Sequence, residues 1–326
     1  MYQVKGTELS VFELALGANT FGWTSDKDDS FAVIDAYREA GGNFIDTADV
    51  YSAWGEGLKG GESETVIGEW LRERKARDQV VIATKVSQHP DFPGLSPENI
   101  QAACEASLKR LQTDYIDLYY AHFDDNKTPI AEMARAFDAL VKAGKIRYVA
   151  MSNFSPARMR EWFQVAKEEN LSAPVAIQNQ YNLLYRKEFE ENYQPICSEF
   201  GVAEFTYFSL ASGFLTGKYR KAEDLAGKDR SDFLSEYNRP ESFALVDALV
   251  KVAEELGSTP TAVSLAWLRA KGVAAPIASA RNPEQLKDLV ASASLSLPAA
   301  AIATLDENHS LSPKYIESKK LNYRLG

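Results

Sequence analysis

Residues 41–51 read Gly41-Gly42-Asn43-Phe44-Ile45-Asp46-Thr47-Ala48-Asp49-Val50-Tyr51, and the rest of the chain is interpreted outward from this stretch. Phe44 and Ile45 predict a short buried strand that ends at the carboxylate of Asp46. The phenol of Tyr51 follows five residues later on a loop. An acid that ends a buried strand, with a phenol just beyond it, indicates chemistry more than packing. Because a phenol has a pKa of about 10, Tyr51 needs a nearby cation to release its proton close to neutrality.

Strand and helix patterns alternate about eight times along the chain, with no linker and no low-complexity segment between them. A small hairpin over residues 2–4 and 9–11 precedes them. The predicted strands are 14–16, 44–45, 80–84, 116–121, 146–151, 175–177, 202–207 and 274–277. The predicted helices are 28–40, 63–74, 97–111, 130–143, one from Pro156, 193–200, 242–256, 260–270 and 283–291, with a long loop over 209–239 and a partly helical tail.

This alternation predicts an α/β fold in which one domain, residues 1–326, forms a closed (β/α)8 barrel with long loops at the C-terminal ends of its strands. The alternative is an open doubly wound sheet. That sheet binds dinucleotides through a GxGxxG turn after an early strand, and the sequence has no such turn. The closed barrel is therefore favoured.

The composition excludes several classes of protein. The chain has 326 residues, 45% of them hydrophobic, and carries 36 basic against 46 acidic residues for a net charge of −10. That balance argues against nucleic acids and anionic membranes as partners. Cys104 and Cys197 are far apart and predict two ordinary thiols in a reducing compartment. With no signal peptide and no long apolar run, the expected location is the cytoplasm.

Polar side chains collect where the predicted strands end. Asp46, Lys85 and His122 end three successive strands, and parallel strand ends open on one mouth of a barrel. Taken singly, the acid could cap a turn, the lysine could be a solvated strand end and the histidine could be structural. Their joint occurrence favours a cluster in which Asp46 pairs with Lys85, and Lys85 lowers the pKa of Tyr51.

A second cluster follows the last predicted strand, where Ser279 and Arg281 precede a helix that carries Gln285. Barrels commonly bind phosphate at this position, on a helix N-terminus, and the guanidinium fork of an arginine suits a phosphate monoester. Lys218 adds a basic group in the long seventh loop. A metal site built from His122, Asp124 and Asp125 is disfavoured, because neither HxxE nor HxH spacing supports it, and we expect no metal.

With these residues identified, the chain resembles the aldo-keto reductases almost from end to end. The most specific pieces are residues 42–51, 83–85, 144–147 running into 151–154, 178–182 and 215–219. The resemblance implies a (β/α)8 barrel that holds a nicotinamide dinucleotide without a Rossmann fold. It also implies Asp46, Tyr51, Lys85 and His122 as the catalytic set.

The same resemblance implies where the cofactor lies. The matching positions are Ser152, Asn153 and Gln178 for the carboxamide, Tyr207 stacking on the nicotinamide, Leu210, Leu215 and Lys218 near the pyrophosphate, and Ser279, Arg281 and Gln285 around the 2′-phosphate. Contacts to a 2′-phosphate imply NADPH in preference to NADH.

Three departures from the family pattern bear on specificity. Phe208 stands where the family often has serine, so a hydroxyl near the pyrophosphate is lost or displaced. Leu289 stands where the family often has an asparagine that contacts adenine. After His122 the chain reads Phe123-Asp124-Asp125, which differs from many relatives and leaves the substrate wall open.

The expected activity is reversible NADPH-dependent reduction of an aldehyde or ketone, with Tyr51 as general acid and His122 as a hydrogen-bond donor to the carbonyl oxygen. Trp23, Trp54 and Phe123 lie on loops at the same mouth and are candidates for the substrate wall. Asp124 and Asp125 could bind a hydroxylated substrate such as a sugar, or could be solvated. The oligomeric state is open, a homo-oligomer included.

Two other functions stay open at the sequence level. Some relatives of the fold attach to membrane channels and use the cofactor as a redox sensor, although this chain shows no additional interaction tail. A non-redox barrel enzyme could instead use Lys85 as a Schiff-base amine.

Overall fold

The computed structural model of the protein describes residues 1–225 and 234–307. A two-stranded hairpin, β1 (Tyr2–Gln3) and β2 (Ser10–Val11), opens the chain. The eight barrel strands are β3 (Ala15–Gly17), β4 (Phe44–Asp46), β5 (Val81–Val86), β8 (Ile116–Ala121), β9 (Ile146–Ser152), β10 (Ala176–Gln180), β11 (Ala203–Tyr207) and β12 (Ala275–Ala278). Between β5 and β8, a second short hairpin pairs β6 (Gln88–His89) with β7 (Phe92–Pro93).

Helices connect these strands on the outside of the barrel. They are α1 (Lys27–Glu39), α2 (Glu62–Arg74), α3 (Pro97–Leu111), α4 (Ile130–Lys142), α5 (Pro156–Glu168), α6 (Gln194–Phe200), α7 (Pro240–Glu255), α8 (Pro260–Ala270), α9 (Pro283–Ala291) and α10 (Ala299–Asp306). Side chains cap five of the N-termini and satisfy backbone N–H groups that have no partner inside a helix. The capping residues are Asp26, Ser96, Ser155, Thr259 and Asn282.

The barrel strands close in the order β10-β11-β12-β3-β4-β5-β8-β9, with every neighbouring pair parallel. The predicted (β/α)8 barrel is confirmed. In the barrel interior, Phe44 packs against Phe205 with ring centroids 4.8 Å apart. The hairpin side chains Val4, Leu9 and Val11 belong to the same buried cluster, so the hairpin closes the N-terminal end. The C-terminal ends of the strands are therefore the open mouth.

Several predicted boundaries need correction. Lys85 does not end its strand, because β5 continues to Val86, and Gln178 lies in the middle of β10. The β6–β7 hairpin was not predicted, since its strands have only two residues each. The helix expected from residue 193 begins with a wider π-turn over Phe189–Tyr193.

The long loop after β11 contains short 3₁₀ turns at Ala211–Thr216, Ala222–Leu225 and Ser235–Tyr237. The remainder of that loop, 226–233, and the tail expected to be partly helical, 308–326, lie outside the described residues. Both cysteines are buried free thiols. Among the helices that the structure describes, none combines the length and the hydropathy needed to span a membrane.

Candidate active site

Lys85 is the centre of a buried cluster at the mouth of the barrel. Its side chain is fully buried, and its ammonium donates hydrogen bonds to Asp46 Oδ1 at 2.6 Å, to the Thr47 carbonyl at 2.7 Å and to Tyr51 Oη at 3.1 Å. An ammonium has three N–H donors, so all of them are used. This saturation and burial argue against the Schiff-base alternative, which needs an accessible, uncharged amine.

Asp46 is held in place through both carboxylate oxygens. Oδ1 accepts from Lys85, while Oδ2 accepts from Gln178 Nε2 at 2.8 Å. The two partners come from strands β5 and β10, on different sides of the barrel, so the acid ties the barrel wall together across its interior. Burial lowers the pKa of Lys85, and the charge of Asp46 opposes that shift. The pair therefore keeps a positive charge beside the phenol.

The Tyr51 phenol faces the mouth from the loop after β4. Its ring makes edge contacts with Trp54 at 5.8 Å and His122 at 6.2 Å between centroids. Burial raises the pKa of Tyr51 well above its ordinary value, and the charge of Asp46 raises it further. The net pKa of the phenol therefore lies above its ordinary value even with the Lys85 ammonium 3.1 Å away, and the phenol is protonated at neutral pH.

His122 follows β8 directly and stacks against Phe123, with ring centroids 4.9 Å apart. Burial and the charge of Lys85 lower the pKa of His122 well below its usual value, so the imidazole is neutral near pH 7. Within residues 1–225 and 234–307, its Nδ1 atom has no hydrogen-bond partner. Asn153 Nδ2 holds the backbone by donating to the His122 carbonyl at 2.9 Å.

Amide and hydroxyl groups from three strand ends lie next to this cluster. Ser152 Oγ donates to the Gln178 carbonyl at 2.6 Å, and Tyr207 Oη donates to Asn153 Oδ1 at 2.7 Å. Asn153 has φ +56°, a left-handed conformation that asparagine adopts more readily than most residues. The four predicted carboxamide and nicotinamide positions, Ser152, Asn153, Gln178 and Tyr207, are therefore brought together on one side of Lys85.

The predicted pyrophosphate residues in the segment after β11 differ in how exposed their side chains are. Lys218 is exposed, with its ammonium 4.9 Å from the Tyr219 ring centroid. Leu210 is half-buried against the core, and Leu215 is fully buried in it, so only the backbone of Leu215 could face a ligand. Phe208 has φ +52° and packs edge-on against Tyr207 at 5.4 Å.

The predicted phosphate cluster lies after β12. Ser279 Oγ donates to Asn19 Oδ1 at 2.5 Å, and the Arg281 N–H donates to Gln285 Oε1 at 3.1 Å. The Arg281 side chain is exposed and makes no ion pair within the described residues. Gly17 is needed here, because a Cβ atom at this position would come within 2.6 Å of Ser279 Oγ. Leu289 is buried in the core, so its side chain does not replace an adenine contact.

Trp23 and Trp54 form an exposed edge-to-face pair at the mouth, with centroids 5.7 Å apart and 42% and 44% of their surfaces accessible. Gly55 lies beneath Trp23, since a Cβ there would come within 2.7 Å of the indole Cδ1 atom. With Tyr51, His122 and Phe123, these rings form a continuous series of contacts, which we call the aromatic arc. Of the three predicted substrate-wall residues, Trp54 contacts the Tyr51 ring directly, Trp23 is linked to it through Trp54, and Phe123 is linked to it through His122.

Asp124 and Asp125 are both held by hydrogen bonds within the protein. Asp124 is buried and paired with the Arg158 guanidinium, whose Nη2 lies 3.0 Å from Asp124 Oδ1. Asp125 accepts from the Thr128 hydroxyl at 2.7 Å and from backbone N–H groups of the same turn. Asp124 is therefore not solvated, whereas Asp125 is half-buried, and each carboxylate stabilises local structure.

Comparison with known proteins identifies the family. A model of the aldo/keto reductase family matches residues 13–309. This chain belongs to the aldo/keto reductase family. The members of this family act as oxidoreductases on carbonyl groups and generally use NADP(H) or NAD(H).

The relatives of this aldo/keto reductase carry different names. "Uncharacterized oxidoreductase YrpG" of Bacillus subtilis is 33% identical over 92% of this chain and 93% of its own length. "Protein tas" of Escherichia coli is 32% identical over 94% of this chain and 97% of its own length. A rice protein, "Probable voltage-gated potassium channel subunit beta" of Oryza sativa subsp. japonica, is 35% identical over 79% of this chain and 80% of its own.

Some contacts in this aldo/keto reductase were not predicted from the sequence. Asn19 bonds Ser279, and the signal for it was available: closure of a barrel makes the first and last strands neighbours, so the residues after them meet. The Thr47 carbonyl, by contrast, has no sequence signal, because any residue supplies a carbonyl. No group of three or more His, Cys, Asp or Glu side chains in the described part of the chain could hold a metal ion.

Proposed function

We propose that this chain catalyses the reversible NADPH-dependent reduction of an aldehyde or ketone to an alcohol, with Tyr51 as the general acid. The observation that carries the proposal is the chain of contacts from Asp46 through Lys85 to Tyr51 Oη, at 2.6 Å and 3.1 Å, at the open end of the barrel. A phenol beside a buried, charge-balanced ammonium is placed to give up a proton and to have the resulting negative charge stabilised.

The residues present fit a nicotinamide dinucleotide phosphate. The hydroxyl and amide groups of Ser152, Asn153 and Gln178 supply the donors and acceptors that a carboxamide needs, and the Tyr207 ring lies next to them. The exposed guanidinium of Arg281 suits a 2′-phosphate, and the Lys218 ammonium suits a pyrophosphate. Ser279, Gln285 and the backbone near Leu210 and Leu215 complete the proposed binding surface. NADPH is therefore preferred to NADH.

When bound, the reduced nicotinamide supplies the hydride, and the chain supplies position and a proton. As the carbonyl carbon gains the hydride, its oxygen takes the π-electron pair and becomes strongly basic. Tyr51 Oη transfers its proton to that oxygen, and the phenolate left behind is stabilised by the Lys85 ammonium. The neutral imidazole of His122 donates a hydrogen bond to the same oxygen, an interaction that strengthens as its charge develops.

The mouth favours a planar, apolar substrate over a sugar. The aromatic arc presents ring faces and edges around Tyr51, whereas Asp124 and Asp125, the carboxylates nearest in sequence to His122, are bound to Arg158 and Thr128. Aromatic rings contribute binding through apolar contact and edge-to-face packing. We therefore propose Trp23, Trp54 and Phe123 as substrate contacts and aromatic aldehydes as the substrate class.

The test is turnover of a panel of aldehydes and ketones, followed by the absorbance of NADPH, with NADH run in parallel. Tyr51→Phe should lower kcat by about 10²-fold or more, the range for loss of a general acid, while NADPH affinity stays within about threefold. The matched control is Tyr115→Phe, which removes an exposed phenol far from the mouth. Wild-type rates in Tyr51→Phe would remove Tyr51 from the proposed role.

A second candidate function is a nicotinamide-binding redox sensor or regulatory subunit with little turnover. The observation that favours it is the relative named as a potassium channel beta subunit. Both functions require the same cofactor cleft, so cofactor binding does not separate them. Tight NADPH binding without turnover of any carbonyl in the panel would favour the sensor. We further propose a cytoplasmic location, with no nucleic acid or membrane as partner.

A further inference from the structure

A buried polar cluster lies behind Lys85, between the barrel wall and helices α2 and α3. Asp49 belongs to it and is completely buried. It sits between Asp46 and Tyr51 in the chain, and its backbone N–H donates to the Lys85 carbonyl at 3.2 Å. The catalytic mechanism proposed above does not use Asp49, so its presence in the interior requires another explanation.

Asp49 differs from the other buried acid of the cluster in its hydrogen bonding. Glu64 accepts from Thr84 Oγ1 at 2.5 Å and from Arg110 Nε at 2.6 Å. Neither carboxyl oxygen of Asp49 has a well-formed hydrogen bond within the described residues. The Lys85 ammonium cannot provide one, because its three donors are already used.

A buried carboxylate without partners is costly, so the neutral acid is the favoured form. Burial raises the pKa of Asp49 well above its ordinary value, and the charge of Glu64 raises it further. Arg110, the Val50 N–H and Lys85 lower it, but by less. The ionisable groups that share electrostatic interactions with Asp49 are Glu64 of α2, Arg110 of α3, Lys85 of β5, Tyr119 of β8 and Tyr51 of the loop.

We propose that Asp49 is a positioning residue that stays neutral behind Lys85, so that Asp46 remains the anion in direct contact with the ammonium and no further negative charge is added beside Tyr51 during catalysis. This inference rests on the proposed function for its kinetic consequence, but not for the protonation state. Negative charge on Asp49 would raise the pKa of Tyr51 and oppose formation of the phenolate. The effect on Lys85 is secondary, because Asp46 at 2.6 Å already holds that ammonium charged.

The first measurement is direct and does not require activity. Infrared difference spectra of wild type against Asp49→Asn at pH 7 should contain the carbonyl stretch of a protonated carboxylic acid, lost in the variant. Asp138→Asn is the matched control, since Asp138 is also buried but accepts from Ser172 and pairs with Lys142 at the other end of the barrel. Absence of the band from the difference spectrum would overturn the proposal.

The second measurement is the pH profile of kcat for Asp49→Asn. At pH 7 the variant should retain kcat within about twofold, because asparagine imitates the neutral acid. As the pH rises and Asp49 ionises, wild type should lose rate at a lower pH than the variant, because the new anion opposes formation of the Tyr51 phenolate. Superimposable profiles would overturn the charge-setting role, whereas a wild type inactive on every carbonyl would refute the proposed function alone.

Stability supplies a third readout in case Asp49→Asn folds poorly. An acid whose pKa is raised on folding contributes a stability loss as the pH rises, because the native state holds the proton longer than the unfolded chain. The free energy of unfolding, measured in urea, should therefore decrease more steeply with rising pH in wild type than in Asp49→Asn or in Asp49→Ser. Equal pH dependence in wild type and both variants would contradict a neutral Asp49.

Discussion

Lys85 keeps its charge inside the protein because every one of its N–H groups has an acceptor, and one of those acceptors is an anion. Removing one partner of a buried pair is costly, since the other charge is left uncompensated. Asp46 in turn depends on Gln178, which comes from the opposite side of the barrel. At the scale of the residue, each polar group of the site is thus held in position by its hydrogen bonds to the next one.

At the same scale, Arg281 should decide the choice between the two cofactors. A charge-assisted hydrogen bond contributes about 1.5–3 kcal/mol, so Arg281→Ala should weaken NADPH binding roughly ten- to hundredfold and leave NADH binding nearly unchanged. Fluorescence titration with each cofactor measures this. Lys287→Ala, which removes an exposed charge from α9, the helix that follows Arg281, is the control. An equal loss of affinity for both cofactors would mean that Arg281 does not contact the 2′-phosphate.

At the scale of the element, the outer helices α2 and α3 are held together by a close contact that involves the backbone. Gly68 of α2 packs directly on α3, and a Cβ atom there would come within 2.2 Å of the Arg110 carbonyl oxygen. Arg110 also pairs with Glu64, so the same contact supports the polar cluster behind Lys85. The position of α2 is therefore coupled to the candidate active site, because the loop that precedes α2 carries Tyr51.

Gly68→Ala should destabilise the protein by about 1–3 kcal/mol, the usual cost of overpacking, although alanine is the better helix former. Urea unfolding measures the change. Thr65→Ala, at an exposed position of the same helix, should stay within about 0.5 kcal/mol of wild type. If Gly68→Ala is as stable as Thr65→Ala, the two helices can separate without cost and the close contact is not limiting.

For the molecule as a whole, we propose that residues 1–326 form a single domain, because closure of the barrel makes strands from both ends of the chain neighbours. Its stability should depend on pH through Glu204, a buried acid on β11. Burial raises the pKa of Glu204 to about 7, and the hydrogen bond with Cys197 lowers it only in part.

The sign of this dependence follows from the raised pKa. The folded protein holds the Glu204 proton above the ordinary pKa of 4.5, so stability is fully present below that pH, falls as the pH rises to about 7, and then levels off. Glu204→Gln should lack this decrease, as measured by urea unfolding between pH 4 and 8. Glu191→Gln, which changes an exposed acid, should follow wild type. A decrease of the same size in Glu204→Gln would assign it to other groups.

The sequence by itself determined the barrel and the place of the catalytic candidates. The spacing of apolar residues along the chain shows which segments form buried strands and helices. Once those strands are parallel, residues at their ends, such as Asp46 and His122, must lie at the same mouth of the barrel. It also supplied the family, through motifs that lie within single segments. Element boundaries were off by up to three residues, since helix and strand ends depend on backbone hydrogen bonds that side-chain patterns do not encode.

Only the tertiary structure decided which polar groups form hydrogen bonds or ion pairs with other residues and which do not. It bound Asp124 to Arg158, joined Asn19 to Ser279 and, within the described residues, left the Asp49 carboxyl oxygens without a well-formed hydrogen bond. It also set the net direction of the Tyr51 pKa shift, because the cost of burial depends on how completely neighbouring elements exclude water. These outcomes are set by distances between residues far apart in the chain, and such distances exist only after the barrel has closed.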